Sequence, residues 1–188
     1  MLKEIRFTGF GGQGIILAGY ITGKAATIFD NLHATFVQSY GPESRGGACS
    51  AQLVISERPV AYPNITRPDI LVAMSQEAYS KYYSEVKPNG IILIEEDLVT
   101  PYLIQGKKPR QDVKFAAIPA TRIAEQMGKK VVANMVMLGF FTAVTKAVST
   151  EAMKQAIKTS VPKGTEELNL KAFQKGYEYG IKCLMTKS

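Results

Sequence analysis

The sequence is poor in the residues that catalytic and metal-binding sites commonly use. Its 188 residues include two cysteines, one histidine and no tryptophan. Cys49 and Cys183 lie far apart and form no C-x-x-C pair, which predicts buried thiols in a reducing compartment, without a disulfide framework or an iron–sulfur cluster. His33 has no second imidazole or nucleophile as a partner, and carboxylates do not cluster at metal-ligand spacing. We therefore predict no metal site and no catalytic residue on this chain, and expect its chemistry to need other chains.

Long apolar runs are also missing. None reaches the ~18 residues that a membrane span requires, and Lys3, Glu4 and Arg6 stand where a signal peptide would be apolar. We expect a cytoplasmic protein that does not bind membranes.

The formal net charge of +7 is distributed unevenly. Residues 1–104 carry 8 Lys+Arg against 10 Asp+Glu, whereas residues 105–188 carry 15 against 6. A basic second half is compatible with nucleic acid, an acidic protein or a phosphorylated ligand as its partner. The lysines are spread among apolar positions, and aromatic residues do not alternate with them as in a base-stacking surface. A solvated face is therefore favoured over a nucleic-acid-binding module.

Short β-branched runs alternate with helical segments, which indicates one α/β domain over residues 1–188 with a mostly parallel, Rossmann-like sheet. The stretch 48–62 is expected to add an antiparallel piece, because no helix separates the strands predicted within it, at residues 48–56 and 60–62. Beyond residue 118 the chain is expected to be helical. The predicted parallel strands cover residues 2–8, 33–37, 70–74, 91–94 and 113–117.

Two predicted helices, residues 15–29 and 135–148, are apolar almost all round, so we expect each to be buried on more than one side. Such burial can be in the core or against another subunit, and it predicts that the isolated chain forms a homodimer. Asn134 and Asn169 are the predicted N-caps of the helices that follow them. In the last helix Gly176 permits close contact with a neighbour. The other predicted helices cover residues 76–86, 119–127, 150–159 and 170–184.

A glycine turn, Gly9-Phe10-Gly11-Gly12-Gln13-Gly14, joins the first strand to the first helix. A strand, a glycine turn and a helix N-terminus together form an anion cradle in α/β folds. The spacing matches G-x-G-x-x-G, yet the second strand ends in Val37-Gln38-Ser39 without the carboxylate that binds a ribose. A self-contained nucleotide-binding protein is thus the alternative rather than the leading interpretation.

The second polar loop holds Glu43, Ser44 and Arg45 between two glycine-containing turns. Because it follows the second predicted strand, we expect it at the same carboxyl edge of the sheet as the glycine turn. Its side chains are able to face a partner, a phosphate or a carboxylate. The simpler interpretation is a surface loop with an internal Glu–Arg pair.

Taken together, the two loops resemble the gamma subunit, or gamma domain, of 2-oxoacid:ferredoxin oxidoreductases. The resemblance covers nearly the whole chain, in family order. Its further matches are Pro68-Asp69, Pro119-Ala120, Asn134-Met135, Leu138-Gly139, Asn169, Ala172-Phe173 and Gly176.

The resemblance implies an enzyme complex that oxidatively decarboxylates a 2-oxoacid to an acyl-CoA and passes the electrons to ferredoxin. The resemblance places thiamine diphosphate with Mg and the [4Fe-4S] clusters on alpha and beta subunits, with a delta subunit as a further candidate. Coenzyme A is implied as co-substrate, and no cofactor is expected on this chain alone. The isolated chain is expected to be inactive. The first expectation for the substrate is 2-oxoglutarate, followed by pyruvate or a branched 2-oxoacid; aryl pyruvates are used by related indolepyruvate oxidoreductases.

The resemblance also selects the residues expected to contact a ligand or a partner. One possibility is that they form the wall of the active-site or coenzyme A channel, with backbone amides and Arg45 facing a phosphate or carboxylate. The other is that they fix the gamma–alpha interface. The residues are Gly11, Gly12, Gln13, Gly14, Glu43, Ser44 and Arg45.

Overall fold

The computed structural model describes residues 1–40, 48–60, 65–101 and 110–185, which form a six-stranded sheet with helices on both faces. The strand order is β2-β3-β1-β4-β5-β6. The strands are β1 (Leu2–Phe10), β2 (His33–Tyr40), β3 (Ala48–Ser56), β4 (Ile70–Ala73), β5 (Ile91–Glu95) and β6 (Lys114–Ile118). The helices are α1 (Ile15–Lys24, continued by a π-helical turn, Ala25–Phe29), α2 (Gln76–Tyr82), α3 (Ala120–Gln126), α4 (Ala133–Thr145), α5 (Thr150–Lys158) and α6 (Glu166–Met185).

The sheet confirms the predicted α/β class. Strands β1, β4, β5 and β6 are parallel neighbours, while β3 runs antiparallel to both β1 and β2. The predicted antiparallel piece therefore lies inside the sheet, between β1 and β2. A short connection from β2 to β3 permits only antiparallel pairing, since a parallel crossover needs a dozen or more residues. The predicted continuation of this piece ends at residues 61 and 62, which lie outside the described residues.

Helix α4 is a core helix rather than an interface helix. Its residues from Asn134 to Ala143 are buried, and its Phe141 ring lies 5.1 Å from the Phe7 ring of β1. Helix α1 is different, because Ile15 and Ile21 are buried whereas its far side remains exposed. Of these two helices, α1 is the one that leaves large apolar side chains exposed, Tyr20 and Ile28, and the association of the isolated chain stays a prediction.

Both predicted asparagine caps are wrong. Helix α4 begins at Ala133, so that Asn134 lies inside its first turn. Helix α6 begins at Glu166, and Asn169 lies within it, donating from Nδ2 to the Thr165 carbonyl at 2.8 Å. Favourable acidic residues in the first turn of α6 let the helix begin before the asparagine.

Candidate functional site

The candidate site lies at the edge of the sheet where β1 and β2 end and β3 begins. In the strand register Phe10 is opposite Ala48, and Cys49 pairs with Gly9 on one side and with Tyr40 on the other. The ends of β1 and β2 are thus two strand spacings apart, roughly 10 Å. The glycine turn follows β1 at this edge, and the chain leaves β2 and enters β3 at the same edge. The strand ends that flank the two loops thus lie at one edge of the sheet, as the sequence predicts for the loops themselves.

The glycine turn presents its backbone to solvent. Gly11 and Gly12 are exposed, and Gly12 has φ 92°. Gly14 is the N-cap of α1 with φ 72°, and no acidic residue lies in the first turn of that helix. The first amides of a helix have no intrahelical acceptor, so the turn carries positive potential toward solvent.

Gln13 holds the turn rather than leaving its amide available. Its Oε1 accepts a hydrogen bond from the Phe10 amide at 2.7 Å, and its Nε2 donates to the Met74 carbonyl at 2.9 Å. The side chain therefore links the turn to the ends of β1 and β4. Both polar groups of the Gln13 side chain are thus engaged with backbone atoms of the protein.

Asn134 is the second support of the turn, and the sequence interpretation missed this role. The side chain is only 6% exposed, its Nδ2 lies 3.4 Å from the Gly14 carbonyl oxygen, and its Oδ1 accepts from the Met135 amide at 2.9 Å. A Cβ on Gly14 would lie 2.8 Å from Asn134 Cγ, so the two residues are in tight contact. An asparagine at the start of an otherwise apolar helix was the available signal.

The structure does not favour the nucleotide-binding alternative. Strand β3 separates β1 from β2, and β2 ends in Gln38-Ser39-Tyr40 without a carboxylate. The earlier acidic residue, Asp30, accepts hydrogen bonds from the Ser149 amide and hydroxyl, both at 2.6 Å. It is engaged in holding the start of α5.

Comparison with known proteins identifies the family. The family model described as pyruvate ferredoxin/flavodoxin oxidoreductase matches residues 4–179. The chain belongs to this family. The predicted resemblance to a gamma subunit of a 2-oxoacid:ferredoxin oxidoreductase is therefore confirmed at the level of the family and its oxidoreductase activity.

Three relatives locate the chain within the pyruvate ferredoxin/flavodoxin oxidoreductase family. The 2-oxoglutarate synthase subunit KorC of Methanocaldococcus jannaschii is 55% identical, over 95% of this chain and 94% of its own length. The gamma subunit of a keto/oxoacid ferredoxin oxidoreductase from Geobacter sulfurreducens has a TM-score of 0.82 and 41% identity, over 96% of this chain and 99% of its own. The ketoisovalerate oxidoreductase subunit VorA of Methanothermobacter thermautotrophicus is 34% identical over 94% of this chain, which corresponds to only 36% of that longer protein.

Three of the predicted site residues, Glu43, Ser44 and Arg45, lie outside the described residues. Cys49 follows closely in the chain and is described. Burial raises the pKa of its thiol, so Cys49 stays protonated near neutral pH and is a poor nucleophile.

Within the described parts of the chain, no three His, Cys, Asp or Glu side chains come together as a metal site would require. None of the helices described is both long and apolar enough to cross a bilayer.

A buried carboxylate, Glu95, ends β5 of this oxidoreductase subunit. Its oxygens accept hydrogen bonds from the Thr121 hydroxyl at 2.8 Å and from the Asp97 amide at 3.3 Å. Burial nevertheless raises the pKa of Glu95 from its ordinary value of 4.5. A carboxyl group whose pKa is higher in the folded state than in the unfolded state binds its proton more tightly when the protein is folded. The free energy of unfolding therefore decreases as the pH rises above the ordinary pKa of the group.

Glu95→Gln should therefore raise the melting temperature at pH 8 and change it much less near pH 4, where the carboxyl group is protonated in both states. Glu96→Gln removes the same charge at the exposed neighbouring residue and is the matched control. Thermal unfolding of the three proteins across this pH range measures the effect. An equal change for Glu95→Gln at pH 4 and pH 8 would contradict it.

Proposed function

We propose that the chain is the gamma subunit of a multi-subunit complex that oxidatively decarboxylates 2-oxoglutarate, with coenzyme A as acyl acceptor and ferredoxin as electron acceptor. The observation that supports this substrate is the 55% identity to a 2-oxoglutarate synthase subunit over 95% of the chain. Pyruvate and branched 2-oxoacids are the substrates to compare, because the family also includes a ketoisovalerate oxidoreductase subunit.

The cofactors are proposed to reside on the alpha and beta subunits, with a delta subunit as a further candidate, and the complex is proposed to work in the cytoplasm. Thiamine diphosphate with Mg²⁺ supplies the decarboxylation chemistry, and [4Fe-4S] clusters carry the electrons to ferredoxin.

The glycine turn and Arg45 are proposed to form one wall of the channel through which coenzyme A reaches the active site. Exposed amides at Gly11 and Gly12, together with a helix N-terminus, offer hydrogen-bond donors and positive potential to a phosphate. Gln13 and Asn134 hold that backbone in place from both sides. The competing role for the same residues is to fix the gamma–alpha interface.

Co-expression tests the proposed complex. When the chain is produced together with the other subunits of the complex, the preparation should reduce a viologen dye in a reaction that requires both coenzyme A and 2-oxoglutarate. The chain produced alone should be inactive and free of iron. Light scattering of the isolated chain tests the proposed homodimer in the same preparations. Failure to join any such complex, with tight nucleotide binding by the chain alone, would refute the proposal.

Arg45→Ala separates the two roles of the turn region. If Arg45 faces coenzyme A phosphates, the variant complex should assemble normally and show a KM for coenzyme A at least about tenfold higher, because a charge-assisted contact is worth about 1.5–3 kcal/mol. Arg58→Ala removes an exposed arginine that follows β3 at the opposite edge of the sheet and is the control. Reduced assembly with an unchanged KM would favour the interface role.

A further inference from the structure

The outer side of α1 and the edge strand β2 together form an apolar surface, which we call the α1–β2 face. Ile28 is 66% exposed and Tyr20 is 50% exposed, although both are large apolar side chains. A groove of about 390 Å³ runs between the helix and the strand, and Ala34 and Phe36 form its β2 side. Contiguous apolar surface of this kind marks an interaction site on a soluble protein.

The backbone of β2 adds a second feature to this face. Among the described residues β2 pairs only with β3, so that its other edge is open there. Its eight residues include no Lys, Arg, Asp, Glu or Pro. Natural edge strands are protected by such residues or are covered, because an unprotected edge invites pairing with another chain. An uncharged open edge beside an apolar groove indicates a surface that is covered in the assembled protein.

The charges around the groove specify what covers it. Among the described residues that line it, Lys24 is the one with a charged side chain, and its Nζ donates to the Thr159 carbonyl at 3.0 Å and to the Ser160 hydroxyl at 3.2 Å. Its ammonium group is thus directed to the start of the α5–α6 connection. A neutral apolar partner surface complements this groove, whereas a phosphate backbone or an acidic protein surface does not.

The longer relative indicates which polypeptide supplies that surface. In VorA the region equivalent to this chain makes up 36% of the protein, so nearly two thirds of that protein is attached to this region covalently. The KorC relative, by contrast, is covered over 94% of its length, as a separate subunit. A separate subunit must replace the covalent connection by a non-covalent surface, and apolar area excluded from water is the main source of such affinity.

We propose that the α1–β2 face binds the separate oxidoreductase subunit that corresponds to the remainder of the VorA chain, which we call the larger subunit. An extended apolar segment of that subunit pairs with the open edge of β2, and its side chains fill the groove beside Ile28. This inference rests on the proposed function and adds the contact surface and the partner to it.

Ile28→Glu tests the face in the co-expressed complex. A carboxylate in a desolvated apolar contact should reduce the share of this chain that co-purifies with the larger subunit by at least tenfold. Met185→Glu makes the equivalent change at an exposed apolar residue near the end of α6 and should leave assembly unchanged. Equal co-purification of both variants would overturn the proposal.

Photo-cross-linking identifies the occupant directly. The assembled complex would carry p-benzoyl-phenylalanine at position 28, or at position 80 on the exposed side of α2 as the control, and mass spectrometry would identify the adducts. A cross-link from position 28 to the larger subunit, absent from position 80, is expected. A cross-link to a second copy of this chain, or none from an intact active complex, would overturn the contact surface alone. Failure of any complex to form would overturn the proposed function as well.

Discussion

Replacing Gly176 with alanine should unfold the protein at temperatures at which the wild type is stable. Helices α4 and α6 cross here with their backbones in contact: a Cβ on Gly176 would lie 2.7 Å from Val136 C, and even closer to its carbonyl oxygen. Across the same contact, a Cβ on Gly139 would lie 2.6 Å from the Tyr177 amide nitrogen. Backbone atoms cannot move aside as a side chain can, so one methyl group must separate the two helices.

The expected loss is about 3 kcal/mol or more, at the upper end for an overpacked core, which corresponds to a decrease of roughly 10 °C in the melting temperature. Gly23→Ala is the matched control in α1, since its Cβ would lie 3.1 Å from Leu53 Cδ1, an atom that can shift. That change should be neutral or slightly stabilising because alanine favours the helix. Similar melting temperatures for the Gly176→Ala and Gly23→Ala proteins would contradict the backbone contact.

This helix crossing shows how far the sequence predicts the fold. The sequence indicates that Gly176 makes a close contact, and the apolar pattern of residues 135–148 indicates a helix buried on several sides. Neither observation specifies that Gly139 faces Gly176 across the contact, because that pairing depends on residues distant in the chain. For the same reason the sequence predicts an antiparallel piece after β2 but does not place β3 between β2 and β1.

The site was predictable to a similar extent. Strand, glycine turn and helix follow from local pattern, and the structure places the turn at the carboxyl end of β1, with Gly14 as the N-cap of α1. The supports of the turn were not predictable, because Gln13 binds the backbone that follows β4 and Asn134 reaches Gly14 from α4. Both contacts require the sheet order and the helix packing to be known. Asn134 was interpreted as a cap because capping is the commonest local use of such a residue.

Gly14→Ala should be the most damaging single change in the glycine turn. Alanine at φ 72° adopts a left-handed conformation that costs about 1–2 kcal/mol, and its Cβ would also lie 2.8 Å from Asn134 Cγ. Gly12→Ala is the matched control, because Gly12 has φ 92° but a Cβ there would meet no atom of the described residues within 4 Å. We expect Gly12→Ala to lose only the conformational part and Gly14→Ala about twice as much.

A double-mutant cycle separates the two costs at Gly14. Removing the Asn134 side chain should relieve the steric part, so the Gly14→Ala/Asn134→Ala protein should be more stable than the sum of the single changes predicts, by about 1 kcal/mol. Denaturant unfolding of the isolated subunit measures the cycle.

In the co-expressed complex, Gly14→Ala should also raise the KM for coenzyme A more than Gly12→Ala does, because it displaces the turn from its support. Equal stability losses for Gly12→Ala and Gly14→Ala, with no coupling to Asn134, would show that the turn does not depend on the contact with α4.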